Sequence, residues 1–131
     1  MPVFVAMECK QNRLMLGHWA DQPVTVWKFD ETNPSSAALI SEIRLQGYGE
    51  VKAIDFDAHL AVVAFDRSAS NIHHVCIWDL SKNAVSRFIT SPHVQTLDIN
   101  AASDRLLIGS TRVYIGAPVL QVRAVGIDCG F

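Results

Sequence analysis

His73 and His74 are adjacent and follow Asp66 by seven residues. Imidazole and carboxylate are the donor types of a zinc site or of an acid–base pair. The spacing argues against both: neighbours on an extended strand point to opposite faces, and no thiolate or second carboxylate stands at a ligand spacing. A polar loop running into a strand accounts for these residues. His18 with Asp21 reads in the same way, as strand-end and turn residues. A nucleophilic triad can be assembled from Ser68 or Ser70, His73 or His93, and Asp66, but no strained strand-to-helix turn or oxyanion-hole signature accompanies it. Gly47-Tyr48-Gly49 has no strand-glycine-helix context for a phosphate cradle, so its glycines serve a tight connection. A non-enzymatic chain with no metal and no cofactor is the expectation.

Composition narrows the partners. A formal net charge of −2 and the absence of any Lys/Arg run give no electrostatic footprint for nucleic acid or an anionic membrane. The first residues, Met1 to Glu8, carry no basic leader, and no stretch approaches the apolar length of a membrane helix. Cys9, Cys76 and Cys129 are odd in number and far apart, which fits neither a disulfide framework nor a zinc pair. A reducing compartment, cytoplasm or nucleus, is expected.

The elements that must position any site are strands. Runs of four to eight residues rich in Val, Ile, Leu, Phe and Trp alternate with short polar breaks, the pattern of an all-β chain. Strands are expected near residues 3–8, 13–18, 23–29 and 39–46, then 51–56, 60–65, 74–80 and 84–89, then 94–99 and 105–110, with a last one at 118–125. Asp30 to Ser36 has the polar, Pro-containing composition of a surface loop. Trp27, Trp78, Phe56, Val62 and Leu107 read as core, and Cys76 as a buried thiol on the face opposite Val75 and Ile77.

The strands come in repeated groups. Asn12-Arg-Leu-Met-Leu-Gly17 matches Asp104-Arg-Leu-Leu-Ile-Gly109 at an offset of 92, with Met7 and Ile99 each seven places before the first Leu. Val51-Lys-Ala-Ile-Asp-Phe56 matches Val94-Gln-Thr-Leu-Asp-Ile99 at an offset of 43, within the spacing of four-stranded propeller blades. Three consecutive units, roughly 3–46, 51–89 and 94–125, account for most of the chain.

Val75-Cys-Ile-Trp78-Asp79-Leu80 looks like the third-strand end of a WD repeat, and Asp21 stands six residues before Trp27 as that family's turn Asp does. His93 lies near the place of the family's glycine-histidine pair. Over residues 3 to 115 the chain thus resembles the WD-repeat β-propeller family, in degenerate form. Lys28 replaces the terminal Asp of the first unit, and no unit carries the whole His, Asp, Trp and Ser/Thr network. The resemblance implies a partial β-propeller of consecutive four-stranded antiparallel blades, with Asp21, Trp27, Trp78 and Asp79 in structural roles.

Trp19 sits in the predicted turn from Gly17 to Gln22, outside any strand's apolar alternation, where aromatic anchors of interfaces are found. The resemblance places Tyr48, Arg67, Asn71, His73 and His93 on the same propeller rim. It implies a protein-binding scaffold or adaptor and, for a longer parent chain, the substrate-recognition part of a ubiquitin-ligase receptor. Three blades fall short of a closed ring, so self-association or a ring-completing subunit are the further partners implied. A structural fragment without binding of its own is the alternative, and a hydrolytic propeller the remote one.

Overall fold

A computed structural model describes residues 4–18, 23–30, 32–44, 50–66, 72–92, 94–102, 104–114 and 117–126. Among these there are eleven strands and no helix. Sheet 1 is the meander β1 (Phe4–Lys10), β2 (Arg13–His18), β3 (Val24–Asp30) and β4 (Asn33–Ile43). Sheet 2 is β5 (Val51–Asp57), β6 (Leu60–Asp66), β7 (Ile72–Asp79) and β8 (Ala84–Pro92). Sheet 3 has three strands, β9 (Val94–Asn100), β10 (Arg105–Tyr114) and β11 (Ala117–Gly126), with β10 in the middle. Every pairing is antiparallel, as short β-branched and aromatic runs joined by tight turns dictate.

The all-β expectation holds, and several finer expectations are corrected. The loop expected from Asp30 to Ser36 is instead a tight turn followed by strand from Asn33 onward. Asp30 closes that turn: its Oδ1 accepts the Thr32 N–H at 2.9 Å and the Thr32 hydroxyl at 2.8 Å. Pro34 is tolerated because β4 is an edge strand, where no ladder donor is needed on the outer side. Among the described residues the third unit has three strands, not the four expected. β10 runs without a break from Arg105 to Tyr114 and pairs along its whole length with β11, so the last strand is third in its sheet, not fourth.

Three hairpins set the registers. Gln11 and Asn12 are both left-handed, at φ 55° and 57°, as a two-residue type I′ turn requires. Ala58 (φ 52°) turns β5 into β6, and β9 reaches β10 through the longer connection 101–104. That length difference corrects one correspondence: measured from the hairpin, Met7 is the counterpart of Leu97, and Cys9 that of Ile99. A bulge recurs at one place in all three sheets. The register skips Val5 in β1, Lys52 in β5 and Gln95 in β9, each the second residue of a run that begins at Phe4, Val51 or Val94. A second bulge opposite Trp27 in sheet 1 recurs opposite Trp78 in sheet 2. The repeat therefore extends to irregularities of the backbone, which raise local twist at fixed points.

The sheets stack in order, with sheet 2 in the middle. One of its faces packs Phe56, Ala61, Val63, Phe65, Cys76 and Trp78 against Met15, Val24, Val26 and Ile43 of sheet 1. The other packs Ala53, Val62, Val75 and Ile77 against Leu97, Ile99, Leu106 and Ile108 of sheet 3. This explains why Leu60 to Phe65 is apolar without alternation: all six residues are buried. Cys76 lies opposite Val75 and Ile77 as expected, and Phe56 and Val62 are core. Leu107 is not core. It points away from sheet 2, on the opposite side to Leu106 and Ile108, and is 39% exposed. Trp27 is half-buried, because no described sheet lies against its face of sheet 1, whereas Trp78 is buried between sheets 1 and 2.

Candidate interaction edge

In sheets 1 and 2 the second strand ends, the third begins and the fourth ends at the same end of the meander. At this edge, described residues knit β4–β5 to β6–β7. Glu50 donates its N–H to Asp66 Oδ1 at 2.8 Å, and Asp66 donates its own to the Glu50 carbonyl at 3.1 Å. Lys52, the bulge residue of β5, reaches Glu50 at 3.2 Å and Asp66 at 3.6 Å. These partly exposed ion pairs contribute roughly 0–1 kcal/mol, so they set loop geometry more than stability.

His73 is the one predicted rim residue within the described part of the chain. Its ring is buried, and its Nδ1 accepts the Val94 N–H at 2.8 Å, tying β7 to the start of β9. His74 points to the other face and stacks on Phe65, with ring centroids 5.8 Å apart. The two imidazoles therefore cannot share a ligand. Trp19, Tyr48, Arg67, Asn71 and His93 lie outside the described residues, as does Asp21. Among the described residues no three His, Cys, Asp or Glu side chains gather where they could hold a metal ion.

The structural residues divide. Trp27 donates its indole N–H to Thr25 Oγ1 at 3.0 Å, two residues earlier on the same face. Trp78 has Cys76 at that place, and its buried indole N–H has no partner. Asp79 caps the β7–β8 turn, its Oδ1 accepting the Ser81 hydroxyl at 2.6 Å and the N–H groups of Ser81 and Lys82 at 2.9 and 3.2 Å. The Ser81 hydroxyl is the main cause holding its carboxyl below the ordinary range. Asp30 does the same with Thr32, whose N–H contributes most to lowering its carboxyl. Lys28 at the Trp-Asp position thus leaves the first unit with an equivalent cap two residues later. Asp30-x-Thr32 and Asp79-x-Ser81 were visible in the sequence as a shared spacing.

Asp55 and Asp57 were not singled out by sequence, yet they join sheets 2 and 3. Asp55 Oδ2 accepts the Ile99 N–H at 2.8 Å, and Asp57 Oδ2 accepts that of Ala101 at 2.6 Å. Glu8, Asp55 and Asp98 share one register position of the first strand in each sheet, a recurrence that could have flagged them. At the opposite edge an open groove of about 530 Å³ lies beside the β3–β4 hairpin, lined by Lys28, Phe29, Asp30 and Ile40 among others.

No protein-family model matches the chain, and no curated protein matches it significantly.

Proposed function

We propose that this chain is a non-catalytic protein-binding module built as an arc of three β-propeller blades of degenerate WD-repeat type. The observation that carries this reading is the placement of β1, β5 and β9, the first strand of each sheet. β5 lies alongside both of the others, as inner strands do in a ring of blades. The repeated bulges and the Asp55 and Asp57 joints support it. Such an arc gathers its second-to-third-strand and inter-sheet connections along one rim, and a composite loop surface of that kind suits recognition of another folded protein. The role is that of a scaffold or adaptor in the cytoplasm or nucleus, or of the substrate-recognition part of a larger ligase receptor.

Trp19 supplies the anchor of that rim. Proximity labelling with the wild-type chain and with Trp19→Ala, each checked by its melting curve, tests this. The Trp19→Ala chain is expected to keep its melt and lose the wild-type set of labelled proteins. An unchanged set would remove the rim from consideration.

A further inference from the structure

Each sheet shows a different face to each neighbour. Toward the preceding sheet it turns apolar side chains: Phe56, Val63 and Trp78 of sheet 2 are buried against sheet 1, as Ile99, Leu106 and Ile108 of sheet 3 are against sheet 2. Toward the following sheet, sheet 2 turns Val62 and the carboxylates of Asp55 and Asp57, which receive the Ile99 and Ala101 N–H groups. Both patterns recur on the two outer faces, which no described sheet covers. On sheet 3, Asp98, Asn100 and Leu107 hold the register positions of Asp55, Asp57 and Val62. Asp98 and Asn100 are exposed, and Leu107 is 39% exposed where Val62 is 0%. On sheet 1, Cys9, Leu14, Leu16 and Trp27 hold the positions of Phe56, Ala61, Val63 and Trp78. Cys9 is exposed, and the other three are half-buried where their counterparts are buried.

We propose that these two faces join head to tail, the uncovered face of sheet 3 on one copy of the chain receiving sheet 1 of a second copy. The contact rests on the reading of the chain as an arc of blades and repeats the contact already made between sheets 2 and 3. Asp98 accepts the N–H of Cys9, and Leu107 packs over Leu14 and Leu16. The donor is free for this role. Lys10 and Arg13 flank the two-residue turn as a hydrogen-bonded pair, so the next pair, Cys9 and Leu14, exchanges no bonds and the Cys9 N–H points off the sheet edge. A second copy is the occupant because one chain carries both halves, the apolar face with its donor and the acceptor face with its apolar centre. The interface is heterologous, each copy keeping one unused half until a ring closes.

Sedimentation velocity of the full chain from micromolar to near-millimolar concentration provides the test. Wild type is expected to associate with rising concentration into multiples of the 14.5 kDa chain. Asp98→Lys blocks the acceptor face and Cys9→Pro removes the donor. Leu14→Glu is a second block of the donor face that leaves the backbone N–H in place. Each raises the dissociation constant about tenfold or more, with far-UV circular dichroism confirming the fold. Mixing Asp98→Lys with either donor-face variant restores one-to-one dimers, because each supplies the half the other lacks. A wild type that stays monomeric overturns the contact, and so does a mixture that fails to pair or an association that survives both blocks. A monomer that still labels the Trp19-dependent proteins overturns this contact alone and leaves the binding module standing.

Discussion

Trp27 and Trp78 sit at equivalent places in two sheets, and the difference between them lies two residues upstream. Thr25 gives the Trp27 indole an acceptor at 3.0 Å, while Cys76 leaves the buried Trp78 N–H unpaired. A buried donor without a partner costs about 1–3 kcal/mol. Replacing Cys76 by Thr supplies the hydroxyl where the first sheet has it, and is expected to raise unfolding free energy by roughly 1 kcal/mol in urea titration. A decrease would show that the added methyl overfills the site. The same substitution isolates a pH effect. Burial pushes the Cys76 thiol from 9.0 to about 12, so the folded chain keeps its proton where the unfolded chain has lost it. The neutral thiol's contribution is complete below pH 9 and fades as pH rises through 9 toward 12. Stability of wild type relative to Cys76→Thr should therefore fall across that window and stay flat below it.

Each meander depends on hairpins that can hold a left-handed residue, and β5–β6 uses a poor one. Ala58 adopts φ 52°, a conformation costing an L-residue roughly 1–2 kcal/mol, which Asn tolerates through local hydrogen bonding. Ala58→Asn is expected to raise the unfolding free energy by about 0.5–1 kcal/mol and the melting temperature with it, and Ala58→Val to lower both. A melt indifferent to both would mean the hairpin relaxes to another turn. The strands themselves were largely legible, because their alternation and the 43-residue offset are properties of the local sequence. Two elements were not. Asn33 to Ser36 reads as loop by composition, yet a single Asp30 carboxylate closes the turn early enough for the strand to begin there. β10 reads as ending at residue 110, yet pairing with β11 carries it to Tyr114. In both cases long-range or side-chain pairing overrides a local signal. Of the candidate rim, only His73 lies among the described residues, and the sequence did not reveal that it is buried against Val94, since its partner lies 21 residues away.

The stacking of three sheets makes the molecule unequal from centre to edge. β6 is interior twice over: β5 and β7 flank it within sheet 2, and sheets 1 and 3 cover its two faces. Its amides can meet water only if both apolar clusters open, which amounts to unfolding all three sheets. β4 and β8 are edge strands with mostly exposed side chains, and Leu39, Ile40, Val85 and Phe88 on them are each at least 40% exposed. Their outer amides can exchange by fraying that leaves both clusters intact. Local opening free energies should rise from near zero at those edges to the global value at β6. Hydrogen exchange read by NMR is expected to show amides from Leu60 to Phe65 as the slowest set, sharing one opening free energy equal to that from urea unfolding. Amides of β5 and β9 near Asp55 and Asp57 should come next, because the carboxylate joints at 2.8 and 2.6 Å hold sheet 3 to sheet 2. If β6 exchanged as fast as β4, the sheets would be opening independently, and the middle sheet would not be the common core on which both neighbours depend.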